Sequence, residues 1–346
     1  MYIVDEDQIT AEKWEHDATS FNDYTLYQTW AYQHVRSKNE NLPIKRVIIK
    51  DSFECVLLMA QVRLYKIPLI NRYWGYVQNG PLICHKADDC DIQKALFLFL
   101  NYMLKEKICI LRITPYIFEN KKGTSYPSLL ERCGFIKNTT IPCYYTAILS
   151  LKESMEDIFS TFHRSWRRYL IKAQKEALQI ESGTDQVHWA ILKNLYDKSK
   201  KRKDFVGLDS NTFSETQHYL PSISKIEIII ARDEKGEPLC AHATSYFGET
   251  ALGIVAASSE KGLQMNASHL VWWHTLIQAK AKGAKIYDLG GIDPIKNPNV
   301  YQFKMRMGTS EIKSIGCFDF YSGPLSHIIT YLIDIIKIFL VKIRKY

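Results

Sequence analysis

Two stretches decide the fold. The first is Asp88–Ile113, DDCDIQKALFLFLNYMLKEKICILRI, and the second is Ala267–Leu289, ASHLVWWHTLIQAKAKGAKIYDL. In the first, Ile92, Leu96, Phe99, Leu100 and Met103 recur at helical spacing. Acidic residues open the segment and Lys105 closes it, as the helix dipole favours. A continuous apolar run then follows, Ile108–Ile113, of the kind found in buried strands. The second stretch repeats this order. A helix is expected over Ala267–Lys282, with Leu270, Trp273, Leu276 and Ile277 among its rows, a stop at Gly283 and a strand over Ala284–Leu289. Ile113 and Leu289 therefore stand at matching points of two halves.

The flanking segments extend the match. Ile44–Lys50, Phe53–Leu64 and Tyr73–Val77 read as strands before the first helix, and Ile226–Arg232, Leu239–Phe247 and Thr250–Ala257 as strands before the second. A short helix over Pro127–Cys133 and a strand over Cys143–Leu149 follow the first half. The expectation is an α/β (α+β) chain of mixed sheets flanked by helices. It has two domains, 1–150 and 151–322, and a C-terminal helix over 323–346. Two unrelated α/β lobes would give the same element order, since sequence identity between the halves is slight. The length of 346 residues suits two domains of about 100–200 residues. A hydrophobic content of 46% supplies two cores.

The formal net charge of +8 favours anionic partners such as phosphates, nucleic acid or acidic membrane, or serves solubility alone. Part of it is concentrated in Met155–Ala177, which reads as one helix. Phe159, Phe162, Trp166, Leu170 and Ala173 form its buried row. Arg164, Arg168, Lys172 and Lys175 form a second stripe, with Arg167 beside it and no acid between Asp157 and Glu176. Such a row is either a solvated face or a cradle for phosphate groups, which arginine can hold bidentately.

Leu325–Ile343 is apolar at helical spacing, but Asp334 and Lys337 lie near its middle. That disfavours a membrane span and suits an amphipathic helix over residues 325–345, lying on an anionic membrane surface or docked on the protein. None of the eight cysteines forms a CxxC pair, and the first residues, MYIVDEDQIT, do not read as a signal peptide. The expected location is cytoplasmic, peripheral to the inner face of the membrane. No metal-ligand spacing stands out, since His269 and His274 are five apart.

No GxSxG, HExxH, Walker loop or GxGxxG occurs. Chemistry concentrates after the strand ending at Leu289, where Asp288, Gly290, Gly291 and Asp293 fall within six residues. A glycine pair at a strand end lets a ligand approach the backbone, and ligands commonly bind beyond the carboxyl ends of strands. Tyr301, Phe303, Lys304 and Arg306 follow. A lysine there can stabilise a developing oxyanion. The bland alternative is a turn with a capping Asp and a surface Lys.

The pattern YDLGGID, then a polar loop, then Tyr301-x-Phe303-Lys304-x-x-x-Gly308, resembles the FemABX aminoacyltransferases. So do the preceding HLVWWHTLIQAKAKG, the central STFHRSWRRYLIKAQKEAL, and two early landmarks, Gln28-Thr29-Trp30-Ala31 and Asn79-Gly80-Pro81-Leu82. The resemblance spans about residues 20–320 and is strongest over 265–308. It implies two tandem GNAT-like acyltransferase domains. It implies transfer of an amino acid from aminoacyl-tRNA, the co-substrate, to an amine of a nucleotide- or lipid-linked peptidoglycan or other envelope precursor, without a cofactor. It assigns oxyanion stabilisation to Lys304. Arg164, Arg167, Arg168 and Lys172 would meet phosphates, while Trp30 and Tyr76 would serve substrate binding in the first domain. Asp288, Gly290, Gly291, Asp293, Tyr301 and Arg306 would line the second-domain site.

The chain departs from the pattern at Tyr32, Asn79 and Thr114, where family members often carry basic or acidic residues. These departures leave the acceptor open. Residues 185–225 are too few for the coiled-coil insertion of some members. Two other functions remain: an N-acyltransferase using acyl-CoA or another acyl carrier on an amino sugar, and a non-catalytic binding protein. The GNAT pyrophosphate motif Q/R-x-x-G-x-G/A is absent from Lys261–Ala267, which counts against CoA.

Overall fold

The computed structural model describes residues 2–4, 9–68, 70–119, 126–203, 209–324 and 326–328. The chain divides into two compact units, Met1–Cys143 with Ser314–Tyr346, and Tyr144–Lys313.

The first unit opens with β1 (Tyr2–Val4), α1 (Ala11–Ala18) and α2 (Trp30–Glu40). Then come β2 (Ile44–Lys50), β3 (Val56–Lys66), β4 (Tyr73–Asn79), β5 (Leu82–Ile83), α3 (Asp89–Lys105), β6 (Ile108–Pro115), α4 (Tyr126–Arg132) and β7 (Phe135–Asn138). Asp88 caps α3 by accepting from the Asp91 N–H, as the acidic start predicts. The apolar rows of α3 meet Val47, Leu58, Val62, Leu111 and Ile113 in one core.

The second unit contains β8 (Tyr145–Ser150), α5 (Met155–Thr161), α6 (Arg164–Lys175), β9 (Gln179–Gly183), α7 (Gln186–Lys203) and α8 (Ser210–Tyr219). It continues through β10 (Glu227–Arg232), β11 (Pro238–Phe247), β12 (Thr250–Ser258), α9 (Glu260–Gln264), α10 (Ala267–Ala281), β13 (Ile286–Gly291), α11 (Pro298–Met305) and β14 (Ser310–Lys313). A last strand, β15 (Cys317–Tyr321), returns to the first unit.

The sheet orders are β1-β2-β3-β4-β6-β15-β7, with β5 on β3, and β14-β8-β13-β12-β11-β10-β9. In each sheet one pair is parallel, β4 with β6 and β12 with β13. A helix connects each pair, α3 or α10, as a parallel pair requires. Element order and sheet order therefore agree with the duplication.

The boundaries differ from the expected 1–150 and 151–322. β8 pairs antiparallel with β13 in the second sheet, and β15 pairs antiparallel with β6 in the first. The first sheet thus takes β15 from beyond the second unit, while β8 opens the contiguous segment of the second unit. The expected single helix over Met155–Ala177 is two helices. His163 is extended at φ −56° and ψ 143°, and its ring accepts from the Ser165 N–H to cap α6. Phe162 stays buried at this break, so the apolar spacing runs through it undisturbed. The expected strand over Phe53–Leu64 begins at Val56 instead, because Asp51 Oδ1 accepts from the Phe53 and Cys55 N–H groups in a turn. The helix expected over 325–345 lies outside the described residues except for 326–328. Among the described residues no helix is long and apolar enough to cross a membrane.

Gly262 lets α9 pack closely on β11. A Cβ there would stand 2.2 Å from the Leu239 carbonyl oxygen and 2.9 Å from its carbon. These are backbone atoms of β11 and cannot rotate away. Gly262→Ala is expected to cost about 3 kcal/mol, read as a lowered urea midpoint; an unchanged midpoint would mean that α9 shifts freely.

Candidate functional site

β13 ends at a turn made by Asp288, Gly290 and Gly291. Asp288 is fully buried. Its Oδ1 accepts from the Gly290 N–H at 2.8 Å and from the Thr146 hydroxyl, and the Tyr144 hydroxyl lies 3.3 Å from Oδ2. The carboxylate thereby holds the turn to β8. Gly290 has φ +78°, and a Cβ there would stand 2.8 Å from the Gly253 carbonyl oxygen of β12. Backbone conformation and close approach both require glycine at this point.

Lys304 projects from α11 onto this turn. It is only 8% exposed, and its Nζ donates to the carbonyls of Gly290 at 2.9 Å and Gly291 at 3.0 Å. An ammonium has three donors, so one remains for a ligand. Burial pushes its pKa down to about 8, while the Asp288 carboxylate acts in the opposite direction. Lys304 is therefore not a surface lysine but a partly desolvated cation clamped at a strand end.

His242 of β11 lies in the same core. The Thr275 hydroxyl donates to the Val271 carbonyl at 2.9 Å, so the 3.3 Å contact between Thr275 and His242 has Nδ1–H as donor. Burial, and then repulsion by Lys304, hold the His242 pKa near 3, which keeps the ring neutral. Trp272 packs against this ring with centroids 4.0 Å apart.

The other expected residues separate into groups. Asp293 caps its own turn, accepting from Ile295 N–H at 3.0 Å and Lys296 N–H at 2.8 Å. Tyr301 donates to Glu311. Arg306 is exposed at the end of α11, and its carbonyl accepts from the His163 N–H at 2.8 Å. That bond ties the start of α6 to the helix carrying Lys304. Along α6, Arg164, Arg168 and Lys172 are exposed and Arg167 is half-buried. Among the described residues no acidic side chain is paired with any of the four. Arg168 also lies over the Tyr169 ring, 5.1 Å from its centroid.

Trp30 and Tyr76 belong to the first unit. Each adjoins an arginine overlooked in the sequence: the Arg46 guanidinium lies 3.5 Å from the Trp30 ring centroid, and Arg63 lies 5.3 Å from that of Tyr76. Both arginines are buried, and Gln61, Gln33 and Gln78 accept from them. The two early landmarks touch, since the Gln28 side-chain amide donates to the Asn79 carbonyl.

Five residues of the site carry no signal in the sequence: Tyr144, Thr146, Gly253, His242 and Thr275. All but Thr275 stand on or beside strands, where alternation distinguishes inward from outward but not one inward position from another.

Residues 210–334 match the model of the FemAB family. No curated protein matches the chain. Among solved structures, FemX is 18% identical, with 93% of this chain and 97% of that chain covered and a TM-score of 0.80. L-PGS from Bacillus licheniformis is 12% identical, with 93% and 96% covered and a TM-score of 0.57. A tandem GNAT protein from the clavulanic acid biosynthesis pathway is 10% identical, with 93% and 99% covered and a TM-score of 0.51. These likenesses are likenesses of fold, and they make the two units tandem GNAT-like domains. The resemblance to the FemABX proteins is supported over residues 210–334, which match the FemAB family model and include Asp288, Gly290, Gly291 and Lys304.

Proposed function

We propose that the protein is an aminoacyltransferase that moves an amino acid from aminoacyl-tRNA to an amine of a peptidoglycan or other cell-envelope precursor. The observation that carries this reading is the Lys304 ammonium, held by two carbonyls at the end of β13 with one donor to spare, inside the segment that matches the FemAB family. An aminoacyl ester is already activated, so positioning and charge stabilisation supply most of what the reaction needs. The neutral amine attacks the ester carbonyl, and the spare N–H of Lys304 meets the developing oxyanion. Collapse expels the terminal ribose oxygen, which takes up the proton the amine gives away. Asp288 and Gly290 act as positioning residues for the turn. The cations of α6 support binding of phosphates on the donor or the acceptor, and the Arg46–Trp30 and Arg63–Tyr76 pairs support acceptor binding in the first unit.

The acyl-CoA alternative has less support. The segment before α10 is the helical turn α9, capped by Ser259, and lacks the pyrophosphate motif. Incubating purified protein with charged tRNA and envelope precursors tests the choice. Amino acid is expected to appear on the precursor in amide linkage. Acyl-CoA consumption without discharge of tRNA would overturn the reading.

The pKa of Lys304 gives the proposal a pH signature. The ammonium is the working form, so single-turnover transfer should rise with deprotonation of the attacking amine and then fall as pH passes about 8. A rate that keeps climbing beyond that point would mean that neutral Lys304 works as a base.

A further inference from the structure

α7 ends in Lys198-Ser-Lys-Lys-Arg-Lys203. Trp189, Leu192, Leu195 and Tyr196 bury the apolar side of this helix, which packs on β11 and β12. Lys198, Lys200 and Lys201 are left exposed, and no acid is paired with them among the described residues. Arg202 fixes the end of the helix in place. It donates to the Ser258 carbonyl at 3.2 Å and lies 3.8 Å from Glu260. Ser258 is the last residue of β12, the strand whose Gly253 carbonyl adjoins Gly290 at the Lys304 turn. Five residue steps along the strand lead from Gly253 to Ser258, a path of about 17 Å.

We infer that the end of α7, through Lys198, Lys200, Lys201 and Arg202, is a second binding surface for the phosphodiester backbone of the RNA that carries the aminoacyl ester. Its charge complements a polyanion. The distance matches about five stacked nucleotides at roughly 3.4 Å each, so an ester at Lys304 would bring its own strand past these side chains. The stripe on α6 is tied to the same site through His163 and Arg306, which gives the strand two cationic surfaces to follow. An anionic lipid surface fits less well. Interfacial helices insert an apolar face, and the apolar face of α7 is buried against the sheet.

The inference rests on aminoacyl-tRNA being the donor, and the experiment separates the two. Binding of bulk deacylated tRNA is measured by fluorescence anisotropy over a salt titration. The proteins are wild type, Lys198→Glu/Lys200→Glu/Lys201→Glu, and the corresponding triple Arg variant. All three positions are exposed, so both variants should fold. The Glu variant is expected to bind at least about tenfold more weakly, with a log–log salt slope shallower by about 2–3, near 0.7–0.9 for each phosphate no longer neutralised. The Arg variant should match wild type. If wild type binds tRNA and the Glu variant has the same affinity and slope, the surface is refuted and the donor remains. If the Glu variant loses binding only to vesicles of equal parts phosphatidylglycerol and phosphatidylcholine, the end of α7 serves a membrane and the inference fails. Should wild type bind no tRNA, the donor itself is wrong and the inference falls with it.

Discussion

Lys304→Ala is expected to lower kcat/KM for transfer by about a hundredfold to a thousandfold, the usual loss when one oxyanion donor is removed. The loss should fall mainly on kcat, because the donor gains its strongest partner only when charge develops on the carbonyl. Stability should change little. The ammonium is held in a poorly solvated place, only 8% exposed. Removing it relieves that burial cost while leaving the Gly290 and Gly291 carbonyls without their donor. A folded, tRNA-binding but inactive variant is the expected outcome, checked by single-turnover kinetics beside a thermal melt. Full turnover in Lys304→Ala would sink the assignment and leave Lys304 as a clamp for the turn.

The second large effect is on stability. In the first sheet Arg112 of β6 meets Asp319 of β15, with Nε to Oδ1 at 2.7 Å and a terminal nitrogen to Oδ2 at 2.8 Å. Both side chains are buried. Asn138 donates to the same carboxylate at 2.7 Å, and the Tyr321 hydroxyl lies 3.2 Å from it. Asp319→Ala would strand the Arg112 charge and is expected to destabilise the first unit by about 3–5 kcal/mol. The double variant Arg112→Met/Asp319→Leu should recover much of that loss, because paired apolar replacements remove both desolvation costs. Urea denaturation of the three proteins checks this; a single variant as stable as wild type would show that solvent reaches the pair.

The helix–strand pairs were legible because each follows one local rule. The apolar rows of 88–105 and the continuous run 108–113 match α3 and β6 closely. The break at His163 was hidden because Phe162 lies buried where a continuous helix would also bury it. Membership of β8 and β15 in their sheets could not be read, since an apolar strand carries no mark of the sheet it joins. The same holds for the site. Asp288, Gly290 and Lys304 could be found from sequence spacing, and the cationic stripe from its lack of acids. Thr146 supports Asp288 from a strand assigned to the wrong half. His242 and Thr275 meet only in three dimensions, as do the arginines beside Trp30 and Tyr76.

The return of β15 to the first sheet bears on how the protein is made. β6 lies between β4 and β15, and Asp319 of β15 is 207 residues downstream of Arg112, its partner on β6. During synthesis the first unit must therefore wait with one side of β6 unpaired until the whole second unit has been translated. An unpaired strand flank is a template for wrong pairing, and long-range closure of this kind slows folding. Meanwhile β8 is available from the start to nucleate the second sheet. The second unit can thus complete its hydrogen bonding as it emerges, and the domain translated first becomes the one finished last.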